Sequence, residues 1–335
     1  MKHLPAAVVE VTRGPLVESR HRVDIVVADA GGALVAVHGE AERPTFPRSA
    51  IKALQALALV ESGAADRFGF AERHIALACA SHNGEAMHVA AAGEMLAAAG
   101  LAPRCLECGA QWPALRDDET RLILAGEEPR PIHNNCSGKH AGFLAFAAHM
   151  GFPTEGYVGF DHPVQRALAA TLSEVTGARH GDDNWGIDGC SIPTWAIPLS
   201  KLAIAFARFG AGEDRDPARA KAFRRIRDAC FAHPEMVAGT GRACTAIMTA
   251  LKGRAFVKTG AEGVFVAALP EKALGVALKV EDGATRAAEA ALVATLESLL
   301  ELSEAEAKAL ARFGNPPILN RRDKAVGAVR MARPG

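Results

Sequence analysis

The sequence has no excess charge of either sign: 38 Lys and Arg balance 38 Asp and Glu over 335 residues. Without a basic field, nothing draws nucleic acid or an anionic membrane surface to the chain. It also lacks any apolar run of about eighteen residues, so no transmembrane helix is expected. The stretch Met1–Glu10 holds too short an apolar run for an export signal. Cysteine is sparse and odd in number: Cys79, Cys105, Cys108, Cys136, Cys190, Cys230 and Cys244. That excludes a disulfide framework and fits reduced thiols, so a cytoplasmic location is expected. There is no internal repeat, low-complexity tract or linker. What is present is an ordinary globular composition, 49% hydrophobic and 23% charged. At this length one large domain or two intimate subdomains is expected.

Residues 6–13, 22–29 and 33–38 read as strands, the last two joined at Asp29-Ala30-Gly31-Gly32 by a glycine turn. A buried helix is predicted over 49–62, closed by Gly63. Helical patterns follow at 86–99, 115–125, 140–150, 163–176, 201–209, 217–232 and 242–251. Strands return at 255–258, 263–269 and 273–281, followed by helices at 284–300 and 303–312. The Pro- and Arg-rich tail from Asn315 is expected to be loosely held. The order strands, helices, strands, helix predicts an α+β protein whose sheet is built from both chain ends. Its sheet subdomain would comprise 1–45 and 255–335, its helical subdomain 46–254, with the site in a cleft between them.

Chemistry enters at Pro47-Arg48-Ser49-Ala50-Ile51-Lys52. Ser49 and Lys52 lie three apart, so on a helix they share a face. The run Ile51–Val60 is almost wholly apolar, which strips water from the lysine, disfavours its charge and suits it to act as a base. A serine beside it becomes a candidate nucleophile. Ser81-His82-Asn83 follows the apolar run Ile75–Ala80, and Lys258-Thr259-Gly260 ends the strand Ala255–Val257. Ser-x-x-Lys, Ser-x-Asn and Lys-Thr-Gly in that order are the motif set of active-site serine β-lactamases and penicillin-binding proteins. Acyl transfer needs a base for the hydroxyl proton and a donor for the leaving nitrogen, and two amines facing two hydroxyls can relay both. The backbone N–H of Ser49 and another beyond Lys258 could hold an oxyanion, with Gly260 letting substrate approach the strand. The spacing is not that of a β-lactamase: 32 residues separate Ser49 from Ser81, and 177 separate Ser81 from Lys258.

Longer stretches carry a resemblance. They are His133-Asn-Asn-Cys-Ser-Gly-Lys-His140, Trp185-Gly-Ile-Asp-Gly-Cys-Ser-Ile-Pro193, His233-Pro-Glu-Met-Val-Ala-Gly-Thr-Gly-Arg242 and Lys279-Val-Glu-Asp-Gly283. With Pro47–Lys52 and Cys79-Ala-Ser-His82, they resemble the Rhizobium etli-type L-asparaginases from about residue 7 to 315. The resemblance implies a serine β-lactamase-like fold, also similar to class A glutaminases, and hydrolysis of L-asparagine to L-aspartate and ammonia. It implies Ser49 as nucleophile with Lys52 as base, and Ser81 with Lys258 as a second serine–lysine pair. It implies Cys136, Lys139 and Cys190 as ligands of zinc, with Asp188 and His140 beside them. Arg48, His82, Asn83 and Asp188 are the residues expected around the substrate, Arg48 at its α-carboxylate. A homodimer is implied as well.

Other readings weigh differently. Gly138-Lys139 is no phosphate loop, because His133 and His140 stand where a Walker motif needs Gly and Ser or Thr. Two cysteines 54 apart with a lysine three past the first do not match a structural zinc spacing. From spacing alone, buried inert thiols or redox-sensing thiols remain open. Cys105-x-x-Cys108 has no second pair. Arg242, after Gly239 and Gly241, could touch ligand or form a loop salt bridge, and Arg224–Asp228 reads as a solvated helix face. A glutaminase or a β-lactam or peptide hydrolase is the nearest alternative activity. A non-catalytic zinc- or amino-acid-binding protein is the alternative of another class.

Overall fold

The computed structural model describes residues 3–332. Its first unit holds the described residues up to Ala50, Ile197–Ala211 and those from Ala246 onward. A nine-stranded sheet forms it: β1 (His3–Leu4), β2 (Ala7–Arg13), β3 (Leu16–Asp29), β4 (Leu34–His38), β5 (Phe256–Gly260), β6 (Val264–Leu269), β7 (Leu274–Val280), β8 (Pro317–Leu319) and β9 (Ala325–Met331). The order is β8-β9-β2-β3-β7-β6-β5, with β4 also on β3 and β1 on β4. All pairings are antiparallel except β1 with β4.

β3 joins the two chain ends. Its first half pairs with β2, and its residues Val23–Asp29 pair with β7, about 250 residues away in sequence. β6 is buried at every position, so both of its faces are covered. Such a strand reads as a continuous apolar run rather than an alternating one. The helices Leu199–Ala211 and Thr285–Leu299 pack on the sheet. At Gly275 in β7 the first of these comes so close that a Cβ would lie 2.0 Å from the Ala203 carbonyl oxygen and 2.3 Å from the Ala207 nitrogen.

The second unit, Ile51–Ala196 and Gly212–Thr245, is mainly helical. The Ser137–Met150 helix runs through it with every residue from Ser137 to Ala147 buried. Gly138 lets that helix meet Glu72–Ala78: a Cβ there would stand 2.5 Å from the Leu77 carbonyl oxygen. Among the described residues no helix is long and apolar enough to cross a membrane. All seven cysteines are free thiols.

Four expectations change. The Leu199–Ala211 helix belongs with the sheet rather than with the span 46–254, because its apolar surface is used against the strands. The helix expected at 49–62 is a 3-10 turn, Arg48–Ile51, followed by the short helices Lys52–Gln55 and Leu57–Glu61. The division between units falls inside Ser-x-x-Lys, between Ala50 and Ile51. The tail beyond Asn315 is held as β8 and β9, with Val329, Arg330 and Met331 opposite Val11, Glu10 and Val9. A partner more than 300 residues away leaves no local trace in the sequence.

Replacing Gly275 with Ala should destabilise the protein by about 1–3 kcal/mol, since both colliding atoms are backbone. Urea unfolding of the variant measures this, and an unchanged midpoint would contradict the close helix–strand approach.

Candidate active site

Lys52 opens its short helix and is almost wholly buried. Its Nζ lies 2.5 Å from the Ala80 carbonyl oxygen, 2.9 Å from Ser81 Oγ and 3.1 Å from Cys136 Sγ. Three donors therefore face three acceptors, which compensates for the water lost on burial. Ser81 is itself pinned: its N–H donates to the Val237 carbonyl, and the next N–H, of His82, donates to the Asn135 carbonyl. The second unit thus brings Lys52 and Ser81 together and adds Cys136 to the pair.

Cys136 stands just before the Ser137–Met150 helix, and Lys139 lies in its first turn. Lys139 Nζ is 2.9 Å from Cys190 Sγ, and Cys190 Sγ is 3.8 Å from Asp188 Oδ2. Cys190 sits on the tight turn between the strands Trp185–Ile187 and Pro193–Trp195, where Asp188 accepts the Ser191 N–H. The hydrogen bond from Cys190 holds the Cys136 thiol far below its ordinary pKa. Burial opposes this, while the charges of Lys52 and Lys139 assist it. Cys190 moves the opposite way, first through its bond to Cys136 and then through burial. Burial disfavours charge on Lys139, but Cys190, Cys136 and Asp188 outweigh it and raise its pKa. His140 is driven the other way by burial and by Lys139 and Lys52, and stays neutral. One ring nitrogen of His140 meets the Tyr157 hydroxyl at 2.7 Å, while Nε2 has no partner among the described residues.

This donor set can be tested against a metal. Two sulfurs, an amine and a carboxylate in a buried place suit a soft-to-borderline cation such as zinc, and four donors match its coordination number. Among the described residues no group of three or more His, Cys, Asp or Glu side chains gathers as a conventional centre. The Cys105/Cys108 pair has a different character: burial raises the Cys108 thiol to about 12, and its S–H donates to the Pro131 carbonyl.

The first unit carries the other half of the motif set. Ser49 lies in the turn Arg48–Ile51, and Arg48 before it has φ of 51°, a left-handed conformation that costs a non-glycine residue about 1–2 kcal/mol. Lys258 on β5 is fully buried, and its Nζ donates to the Thr259 carbonyl at 2.9 Å. Gly260 ends β5 against this turn. A Cβ there would lie 2.4 Å from the Pro47 carbonyl oxygen and 3.2 Å from the Ala50 nitrogen. The glycine, read in the sequence as making room for a substrate, admits the protein's own serine turn.

His82 and Asn83 hold the frame. His82 Nδ1 accepts the Gly84 N–H, so Nε2 carries the proton and donates to Ser137 Oγ at 3.0 Å. His88 repeats the pattern, accepting the Glu85 N–H and donating to the Glu235 carbonyl, and the two rings stack at 4.6 Å. Asn83 Nδ2 donates to the Thr240 carbonyl at 2.9 Å and to Glu85 Oε1 at 3.2 Å. Glu85 also accepts the Thr240 N–H and hydroxyl, at 2.8 and 2.7 Å. Sequence reasoning missed Glu85, Ser137 and Tyr157. The signals available were an acid four residues after Ser81, a serine inside the longest motif and the chain's single tyrosine.

Buried amines set against hydroxyls and a thiol are the groups that acyl-transfer chemistry uses. The chain belongs to the L-asparaginase II family, whose model matches residues 9–331. No curated protein matches it. Among solved structures it is similar to a protein designated Mglu, crystallised in its native form in 4.3 M NaCl. That match has 13% identity and a TM-score of 0.45, covering 84% of this chain and 62% of the other, so the chain spans less than two thirds of Mglu. It is also similar to the D-alanine carboxypeptidase AmpC of Burkholderia cenocepacia, with 13% identity and a TM-score of 0.35, covering 87% of this chain and 92% of that one.

Burial lowers the His88 pKa in the folded protein. The unfolded chain therefore takes up the proton first, and the stability His88 contributes is complete above about pH 6.5 and lost as pH falls below it. Urea unfolding between pH 7.5 and 5.5 should show a smaller loss in His88→Asn than in the parent. An equal loss would mean that His88 does not titrate in this window.

Proposed function

We propose that the protein hydrolyses L-asparagine to L-aspartate and ammonia through an ester on Ser49, as an enzyme of the Rhizobium etli type. The observation that carries this reading is Lys52 Nζ 2.9 Å from Ser81 Oγ, in a chain that matches the L-asparaginase II model almost end to end. In its neutral form Lys52 takes the Ser49 proton as Ser49 Oγ bonds to the side-chain amide carbon. The N–H of Ser49 stabilises the oxyanion. The C–N bond then breaks, and the leaving nitrogen receives its proton through Ser81 and Lys258 and departs as ammonia. Water attacks the ester, gives its proton back to the same lysine–serine relay, and aspartate leaves with Ser49 restored. Arg48 is the group read as facing the substrate's α-carboxylate, with His82, Asn83 and Asp188 around the substrate.

Cys136, Lys139 and Cys190, with Asp188, are the residues that would hold zinc. When bound, zinc supplies a fixed positive charge that orients a substrate oxygen. Because an amine ligand must be deprotonated, its binding weakens as pH falls. The resemblance also supports a homodimer, and the scattered free thiols support a cytoplasmic location.

Ser49→Ala should lower asparagine turnover by at least about 10³-fold with an unchanged unfolding midpoint. A coupled ammonia assay measures it, and normal turnover would end the proposal. Glutamine and nitrocefin assayed in parallel separate the neighbouring activities, and ligand binding without ammonia release would favour a non-catalytic binding protein. Cys190→Ser should weaken zinc binding by at least about 10-fold. Titration against a chelating dye reads this, and unchanged affinity would remove Cys190 from the metal set.

A further inference from the structure

Arg242 stands in the loop between the helices Pro234–Ala238 and Ala243–Leu251, and its side chain is partly exposed. Its one side-chain hydrogen bond runs from Nη1 to Asn83 Oδ1, at 3.4 Å, and no carboxylate pairs with it among the described residues. Glu85, bonded to the same Asn83, is already committed: its two oxygens accept the Thr240 N–H, the Thr240 hydroxyl and the Asn83 amide. Gly239 closes this junction, with φ of 100° and no space for a Cβ, which would lie 2.4 Å from Glu85 Oε1 and 2.8 Å from Asn83 Nδ2. The loop is thus fastened to Asn83, two residues from Ser81, and it presents a guanidinium that the protein itself leaves without an anion.

The geometry points to Arg242 as a further residue, besides Arg48, that receives the α-carboxylate of the amino-acid substrate, with Asn83, Glu85 and Thr240 as positioning residues that fix its loop. This rests on the amide-hydrolase reading above and adds a specificity determinant to it. Only two carbons separate the amide carbon of asparagine from its α-carboxyl carbon, so an amide held beside Ser81 keeps its carboxylate in the same neighbourhood. A guanidinium fork meets a carboxylate with two parallel hydrogen bonds. Asn83 occupies only Nη1, which leaves Nε and Nη2 as donors.

The test compares L-asparagine with 3-aminopropanamide, the same amide without the carboxylate, in the parent, Arg242→Gln and Arg242→Lys. Arg242→Gln should lower kcat/KM for asparagine about 10- to 100-fold, chiefly through KM. It should leave the carboxylate-free amide within about twofold, and Arg242→Lys should recover part of the loss. Calorimetry with L-aspartate and β-alanine provides the same comparison without turnover, with weakened binding expected for L-aspartate alone. An equal loss on both members of either pair, or no loss on asparagine and L-aspartate, overturns the assignment. If the parent fails to release ammonia from asparagine, the functional reading falls, and the L-aspartate titration still decides for or against Arg242.

Discussion

The hydrogen bonds of Lys52 Nζ are the constraint from which the helical unit takes its form. A lysine amine shut away from water is tolerated only where protein groups replace its lost hydration. Those acceptors come from two places: the segment Ala80-Ser81 just after the Glu72–Ala78 helix, and Cys136 just before the Ser137–Met150 helix. Both must be delivered to one nitrogen, so the two helices have to meet closely. Gly138 permits it, since any side chain there would enter the Leu77 backbone. The residue that gives room is thus two positions from the sulfur it delivers.

A parallel device operates in the sheet unit. Gly260 lets the end of β5 rest on the backbone of Pro47 and Ala50, which places the turn bearing Ser49 against the strand bearing Lys258. Each unit therefore assembles its own portion of the motif set. The boundary between the portions falls inside the Ser-x-x-Lys tetrad, between Ala50 and Ile51. Chemistry assigned to these four side chains depends on two glycines that carry no chemistry.

The cluster beyond Cys136 follows a different economy. Its two thiols are shifted in opposite directions, the sulfurs and Asp188 hold Lys139 charged against burial, and His140 is held neutral by burial and then by the lysines. Around Ser81 the polar side chains serve mainly one another: His82, Asn83 and Glu85 bond to Ser137, Thr240 and nearby backbone. In the sequence, His82 and Asn83 stand out as substrate contacts because polar residues beyond an apolar run stand out. The tertiary structure engages them because a loop stripped of water needs partners for its amides.

Local pattern and motif content were legible in the sequence by itself. The strands at both ends, most helices, and the Ser-x-x-Lys, Ser-x-Asn and Lys-Thr-Gly order are properties of short stretches. A sheet built from the two termini followed from the order of those stretches. What only the tertiary structure decided lies in pairings that no short stretch encodes. β9 is held by β2 across the whole chain, the Leu199–Ala211 helix sits on the sheet, and the carboxylate of Glu85 is used up within the fold while Arg242 is left without an acid. Periodicity reports which face of a segment is apolar. It carries no information about which distant segment supplies the cover, nor about which donors and acceptors are spent inside the fold and which remain for a ligand.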